Sequence, residues 1–323
     1  MWIGLMQDEY EIVTHALMKH VNLFVTETDY RNAHLHQDFE LNLILSGELS
    51  LLTNTTTDTF RPGTLILLNP NVVHEIQAGK GGTYVLCLQW SPKFLHQLIP
   101  ELGSLSFDEM ILQNTLSETL TDSIRALIVE IAYQGFLREP AWQLLCNSLF
   151  SRLIFLLLRH VPFHTLTADA KESIRKRVER LGRIVAYVDE HYMHKLSLTA
   201  IAEQEGVTAG YLSHFIRNNF NQSFQDYVNN VRLRHAKILL QTDRRLLDIC
   251  LEVGFSDPRY LRKQLLQREG CTPEEYRKRH DAGDALVRQS KHISENTLSA
   301  TQALKVLEAH RRGGRKPGDV MFQ

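Results

Sequence analysis

Residues 196–220, LSLTAIAEQEGVTAGYLSHFIRNNF, and residues 246–270, LLDICLEVGFSDPRYLRKQLLQREG, carry one pattern twice, about fifty residues apart. In the first copy Ser197 is placed to cap a short helix that turns Ile201 and the small Ala202 inward. Gly206 ends that helix, because glycine takes a left-handed turn without a Cβ penalty. Thr208 caps a second helix, with Leu212, Phe215 and Ile216 as its buried stripe and Ala209, Gly210, Ser213, His214 and Arg217 facing outward. In the second copy Ile249 and Cys250 take the inward places and Gly254 the turn. Asp257 then caps a helix opened by Pro258, a residue that loses no hydrogen bond at a first helical position. Arg259, Arg262 and Lys263 point outward from it. SFQDYVNNVRLRHAKILLQ lies between the copies and predicts one long amphipathic helix, with Phe224, Tyr227, Val231, Ala236, Leu239 and Leu240 on its buried side.

A short helix, a glycine turn and a second helix with a polar outer face form the helix-turn-helix arrangement, which places its second helix in a DNA groove. The charge distribution agrees. Residues 1–165 hold 9 Lys and Arg against 17 Asp and Glu, whereas residues 166–323 hold 27 against 20, within a net charge of −1. Only the second half is suited to meet a polyanion. Three cations on one helical face also occur as plain solvated charge, but here they stand on the second helix of a second such unit.

The first half has a different period. From about residue 20 to 90 apolar residues alternate, with turn signals between the runs. ELNLILSGELSLLTN breaks at Gly47, where a hairpin is expected. RPGTLILLNPNVVHEI has turns at Pro62-Gly63 and at Asn69-Pro70-Asn71 around a strand of branched residues, and GKGGTYVLCLQW adds another strand. Short strands at this spacing predict an antiparallel sandwich or barrel. His34, His36 and Glu40 differ by even numbers and so share one face of a strand. Three imidazoles and a carboxylate, with His74 added, suit a divalent first-row metal. The series His34-x-His36-x-x-x-Glu40 followed by Gly47 resembles the first motif of the cupin jelly rolls, and PGTLILLNPNVVH resembles the second, with His74 in the remaining ligand place. Asn71 stands where cupins often have glycine, and asparagine tolerates the same left-handed backbone. The resemblance implies that His34, His36, Glu40 and His74 meet inside the barrel. They either bind a metal or line a pocket that hydrogen-bonds a small effector.

Residues 107–162 change to a helical period, with Ile124, Leu127, Ile128, Ile131 and Ala132 in one stripe. A second helix is expected after Pro140, in a first-turn role, and its apolar residues extend to more than one face. Either packing on the barrel or a dimer interface would cover them. TLTADAKES, within 163–177, has the small polar composition of a linker. Four cysteines stand far apart, which excludes a disulfide framework or cysteine zinc site and fits a reducing compartment. The most apolar run, LFSRLIFLLLRHV, is broken by Arg152 and Arg159 and is too short for a membrane span. The first residues lack a basic region, so no signal peptide is expected. A cytoplasmic protein without membrane contact follows from these features.

Residues 178–280 resemble the AraC/XylS transcription regulators. The match rests on Arg232, Ala236 and Leu240 in the linking helix, VGFSD, Tyr260, and GCTPEEYR with Gly270, Thr272-Pro273, Tyr276 and Arg277. Leu261 and Leu265 replace phenylalanines common there, Asn221 replaces a frequent glycine, and Phe215-Ile216 reverses the usual order. The resemblance implies two recognition helices in successive major grooves, about 34 Å apart. By position Gly210, Ser213, His214 and Arg217 would meet DNA from the first, and Arg259, Arg262 and Lys263 from the second. Arg and Lys read guanine O6 and N7 best, so the second helix is expected to carry much of the discrimination.

The expected architecture is an α+β multidomain chain. Its parts are a cupin-like antiparallel jelly roll at 1–106, a helical dimerisation or packing segment at 107–162, a linker at 163–177, an all-α domain with two helix-turn-helix units at 178–280, and an extension at 281–323, partly helical or flexible. Leu286, Ile293, Ala300 and Leu307 stand seven apart in the extension, thin support for a coiled coil, and RRGGRKPGD loosely resembles a minor-groove hook but suits a flexible basic end. The expected function is a DNA-binding transcription regulator, not an enzyme. It binds operator DNA as a homodimer, responds to a small effector such as a sugar or related carbon source, and signals through operator affinity or contact with RNA polymerase. No cofactor is required, though the pocket has the ligands for a divalent metal. The rival is a metal-dependent cupin enzyme fused to a DNA-binding module, and an architectural DNA binder without effector is a third alternative.

Overall fold

Alternation with a period of two fixes which face a side chain takes, and in this chain both faces of the central strands are apolar. The computed structural model describes residues 10–11, 13, 15–53, 57–79, 82–100, 104–281 and 293–313. They fall into two units, Tyr10–Arg175 with the segment from Ile293, and the segment from Lys176 to the end of the second helix-turn-helix region.

In the first unit the strands are β1 (Tyr10–Glu11), β2 (Val21–His36), β3 (Phe39–Ser46), β4 (Leu49–Thr53), β5 (Thr57–Phe60), β6 (Leu65–Leu68), β7 (His74–Ala78) and β8 (Thr83–Trp90). They join in the order β5-β4-β7-β2-β8-β3-β6, antiparallel throughout, with β1 parallel to the end of β2. The result is a curled, jelly-roll-like antiparallel sheet followed by helices. On β3, Phe39, Leu41, Leu43 and Leu45 join Leu86, Leu88 and Trp90 of β8 in one core. The alternate residues Ile44 and Val85 face a second, inner core with Leu49, Leu51, Phe60, Ile66, Leu68 and Ile76. Gly47 does not make a hairpin. β3 pairs with β6 and β8, and β4 with β5 and β7, so the turn carries the chain from one part of the sheet to another. Its φ of +83° and the Gly82 carbonyl oxygen, 2.5 Å from where a Cβ would stand, require glycine there. Asn71 adopts φ +64°, the left-handed turn expected of it.

After α1 (Pro92–Leu98) and β9 (Leu105–Phe107) come α2 (Glu118–Leu137) and α3 (Trp142–His160). Ile124, Ile128, Ile131 and Ala132 of α2 and Phe150, Leu153, Ile154 and Leu157 of α3 complete the core beneath the sheet. Pro140 lies outside α3, because Ala141 is the N-cap, in a left-handed conformation. The predicted linker is also corrected. It contains β10 (Phe163–Thr165), paired with β9, and the first turns of α4 (Ala168–His191). A solvated helix and a polar linker have the same composition, and only α4's later residues carry a buried stripe, Val178, Leu181, Ile184, Val185 and Val188.

The second unit continues with α5 (Leu198–Gln204), α6 (Ala209–Phe220), α7 (Phe224–Leu240), α8 (Leu246–Glu252), α9 (Pro258–Glu269) and α10 (Pro273–Asp281). Ser197, Thr208, Ser223 and Asp257 each accept a backbone N–H of the helix they cap. Ile249, Cys250, Val253, Phe255, Leu261 and Leu265 of the second copy pack with Leu233, Ala236 and Leu240 of α7. The leucines at 261 and 265 are wholly buried, so they fill the phenylalanine places. Arg232 donates from Nε to the Tyr192 carbonyl and from Nη2 to that of His194, both at 2.7 Å, which fixes the turn between α4 and α5.

The chain then returns to the first unit. β11 (Ile293–Thr297) pairs antiparallel with β2, and α11 (Ala300–Gly313) packs on α2. The seven-residue series is therefore not one helix: Ile293 is in a strand, Ala300 opens α11, and Leu286 lies outside the described residues. Of the basic run, Arg311 is held within the first unit by Glu130, and residues 314–319 lie outside the described residues.

Candidate functional site

The inner face of the curled sheet turns polar at one end. Thr26, Thr28, Arg31, His34, Glu40, Asn42 and Cys87 line a cavity of about 10 Å3, room for a single water. The parity argument needs correction, since β2 ends at His36 and β3 starts at Phe39. His34 and Glu40 thus belong to different strands, joined through a Gln37-Asp38 turn that His15 fixes by a 2.6 Å bond to Asp38. Burial raises the Asp38 carboxyl, and the His15 bond opposes that.

Glu40 is the centre of the cluster. Its Oε2 lies 2.9 Å from His36 Nε2 and accepts from Gln89 Nε2 at 2.9 Å, while Oε1 accepts from Asn42 Nδ2 at 2.6 Å. Burial by itself would raise this carboxyl. The His36 bond and charge and the Asn42 amide outweigh it and hold Glu40 well below the carboxylate range. His36 Nδ1 faces the Asp38 carbonyl at 2.9 Å. The Asp38 carbonyl and the Glu40 carboxylate thus hold the His36 ring from both sides. His74 differs. Its Nδ1 donates to the Val72 carbonyl at 3.0 Å, and burial lowers its pKa to about 4, which leaves the ring neutral. Its Nε2 is then a bare lone pair, fully buried, without a hydrogen-bond partner, and 3.9 Å from Glu40 Oε1.

His36, Glu40 and His74 bring one ligand atom each within 4.8 Å of one another, the metal-type grouping found among the described residues. His34 is not part of it. It pairs with His74 across β2 and β7, and its ring lies 4.1 Å from the His74 ring. Burial, then Arg31, keeps His34 well below its usual pKa. The four expected residues are thus together and buried, three as a donor set and one with its ring tilted against it.

The residues expected to meet nucleic acid lie on α6 and α9. Gly210, Ser213, His214 and Arg217 are exposed on α6, and Arg259, Arg262 and Lys263 on α9. Phe215 is only half-buried rather than core, because the Arg180 guanidinium of α4 lies 5.6 Å from its ring centre, and Asn219 and Phe220 complete the stripe instead. Two of the α9 cations already have partners. Arg259 folds back on its own cap, Asp257, at 3.0 Å, and Arg262 binds Glu274 of α10 at 2.5 Å.

Two family models match. One, described as an AraC-like ligand binding domain, covers residues 23–154, and the other, a helix-turn-helix domain, covers 201–279. The chain belongs to the AraC/XylS family. It is 24% identical over 230 residues to an HTH-type transcriptional regulator of Bacillus subtilis (strain 168), spanning 71% of this chain and 80% of that one. It is 21% identical over 239 residues to another from Staphylococcus aureus (strain MRSA252), spanning 73% of this chain. That match takes in 31% of the Staphylococcus protein, so this chain spans about a third of its length. ToxT of Vibrio cholerae O395 aligns over 82% of this chain and all of its own, with 14% identity and a TM-score of 0.39. Among the described residues of this AraC/XylS member, no helix is long and apolar enough to cross a membrane.

Several site residues of this AraC/XylS member escape a motif search. Asn42 follows Glu40 by two on β3, and Gln89 follows Cys87 by two on β8, so alternation does identify them as inward-facing. Thr26 and Thr28, 2.9 Å apart through their hydroxyls, follow the same rule on β2. On α6 the missed residue is Tyr211, 49% exposed, whose hydroxyl accepts from Arg180 at 3.1 Å. An aromatic two residues before Ser213 offered no pattern to find it.

Proposed function

We propose that this chain is a cytoplasmic, homodimeric transcription regulator that binds operator DNA through α6 and α9 and answers to a small polar effector, a sugar or related carbon source, held inside the curled sheet. The observation that carries the effector site is the buried His74 Nε2 lone pair turned toward the Glu40 carboxylate with no donor between them. Two acceptors facing one point are stabilised only by a proton donor or a cation. An effector hydroxyl supplies the first. Thr26 and Thr28 add hydroxyls and Arg31 a cation on the wall of the cavity that Glu40 lines, which suits a polyhydroxylated ligand or its acid.

A divalent metal is the second way to fill the gap. His36, Glu40 and His74 would hold it, and the His74 lone pair fits that role. Bound there, it would supply a fixed positive charge for an effector oxygen. The chain's own residues do the rest: Gln89 and Asn42 orient the Glu40 carboxylate, and Val72 and Asp38 fix the ring orientations of His74 and His36. Leu144, Leu145 and Phe155, exposed on α3, support dimerisation through that face.

The test uses tag-free protein. Melting is followed with a panel of pentoses, hexoses and their acids, and metal content is measured before and after loading. A ligand at a hundred times its Kd stabilises the wild type by about 2.7 kcal/mol, and Glu40→Gln removes the shift. A panel that never shifts melting, in protein that still binds selected duplex DNA, counts against the effector site. Failure to retain metal after loading removes the metal from the proposal.

A further inference from the structure

A cavity the size of one water does not accept a sugar, so a wall has to move. Among the described residues, β11 is placed for this. β11 pairs with β2 from Ile293↔Arg31 to Thr297↔Thr26, and Thr26, Thr28 and Arg31 of that run line the cavity. We propose that β11 is a displaceable brace on the pocket wall: paired, it holds Thr26–Arg31 in the closed position, and released, it lets a sugar-sized ligand enter. This rests on the inner cavity being the effector site.

The two parts of the extension are anchored very differently. α11 is fixed. Leu298, Ala303 and Leu307 are buried in the core of the sensor unit. Ser299 and Gln302 cap the helix reciprocally, with Ser299 Oγ accepting from the Gln302 N–H and Gln302 Oε1 accepting from the Ser299 N–H. Arg311 lies 2.8 Å from Glu130 and 3.9 Å from the centre of the Tyr133 ring. β11, by contrast, is a five-residue strand of sequence ISENT, mostly polar, attached through backbone pairing. Its register shifts between Ser294 and Glu295. The pairing of β2 with β7 also shifts, between Arg31 and His34. Irregular ladders at both places make this run the segment of β2 that is cheapest to rearrange.

The position of β11 also gives the movement an outlet. Upstream of it, residues 282–292 lead to α10 of the DNA-binding unit. Unpairing five residues while α11 stays anchored adds up to about 17 Å of chain between that unit and its fixed point.

Cys87 lines the same cavity and is 3% exposed, so its alkylation by a sugar-sized maleimide reports opening without a known effector. Labelling is measured on the full chain and resolved by peptide mass. Buried Cys146, in the sensor unit, and Cys250, in the DNA-binding unit, serve as controls for general unfolding. Asn296→Pro removes a β11 N–H and should speed Cys87 labelling at least tenfold, with Cys146 and Cys250 unchanged. An unchanged Cys87 rate overturns the proposal, and so does a rise in step with Cys146, because β11 would then brace the whole unit. A second variant works in the opposite direction. Glu27 and Asn296 are directly paired, so Glu27→Cys with Asn296→Cys forms a staple. Oxidised, it should slow Cys87 labelling at least tenfold below wild type, and reduction should restore it. A stapled rate equal to wild type means that the pocket opens elsewhere, and the proposal fails. None of these rates depends on the sugar panel, so a failure of the effector site and a failure of the brace are told apart.

Discussion

Gly206 and Gly254 occupy the same place in the two sequence copies, yet alanine should cost far more at the second. Both have positive φ, +65° and +83°, so an L side chain is strained at either by about 1–2 kcal/mol. Around Gly206 a new Cβ would meet nothing within 4 Å, whereas at Gly254 it would stand 2.6 Å from the Met193 carbonyl oxygen and 2.8 Å from that of Tyr192. Those carbonyls do not yield easily, since Arg232 is bonded to the same turn at 2.7 Å. Overpacking of this kind adds about 1–3 kcal/mol. Gly254→Ala should therefore lose about 2–5 kcal/mol and Gly206→Ala about 1–2. For a unit of this size each kcal/mol lowers Tm by about 4–8 °C. Far-UV circular dichroism follows the helices of the DNA-binding unit. In a Trp2→Phe background, tryptophan emission follows Trp90 and Trp142 in the sensor unit and serves as the control. Equal losses for the two variants would refute the argument, because the close approach at Gly254 would then carry no energy.

On duplexes selected from a random library, Arg262→Ala and Lys263→Ala should each reduce discrimination against scrambled DNA about fivefold or more. Equal loss on both DNAs would make them phosphate contacts. Because Arg262 is already bound to Glu274, Glu274→Gln should tighten DNA binding about two- to fivefold at low salt, and unchanged affinity would mean that Arg262 does not reach the duplex. His235 is held neutral chiefly by burial, its pKa lowered to about 4, and its ring stacks 3.9 Å from Tyr192. The unfolded chain takes up this proton near 6.5 and the folded one only near 4, so stability is full above 6.5 and falls between 6.5 and 4. Screening at a half-buried ring reduces the loss to about 1–2 kcal/mol. His235→Phe keeps the stack and should flatten that part of the pH profile in urea titrations, and an unchanged slope would show that another group sets it.

What could be read from the sequence was what neighbouring residues decide among themselves. The caps at Ser197, Thr208 and Asp257, the turns at Gly206 and Gly254 and the left-handed Asn71 are local chemistry, and each stands where expected. Errors arose where a distant element intervenes. Phe215 has the spacing of a core residue, but Arg180 arrives from α4 to cover it. Gly47 interrupts an alternating run as a hairpin would, but alternation states which face a residue takes and not which strand it pairs with. The parity of 34, 36 and 40 fails for the same reason, because it assumes one strand through a turn that ends it. His36, Glu40 and His74 still converge, since β8 lies between β2 and β3 and carries Gln89 to the carboxylate.

The extension was the least legible part because its partners lie more than 150 residues earlier in the chain. A heptad count tests one helix against itself and is blind to Leu307 closing on a core made by α2 and α3. The placement of Leu307 implies that the sensor core is completed by residues translated after the whole DNA-binding segment. Leu307 is fully buried, so Leu307→Ala should cost about 2–5 kcal/mol, transfer and cavity terms together. Leu266→Ala, at a leucine 54% exposed on α9, should stay within about 0.5 kcal/mol. Denaturant titrations followed by emission in the Trp2→Phe background measure the first directly, because Trp90 shares the core that Leu307 enters. A loss at Leu307 no larger than at Leu266 would mean that α11 rests on the sensor without belonging to its core, and the sensor would then fold before the DNA-binding segment is made.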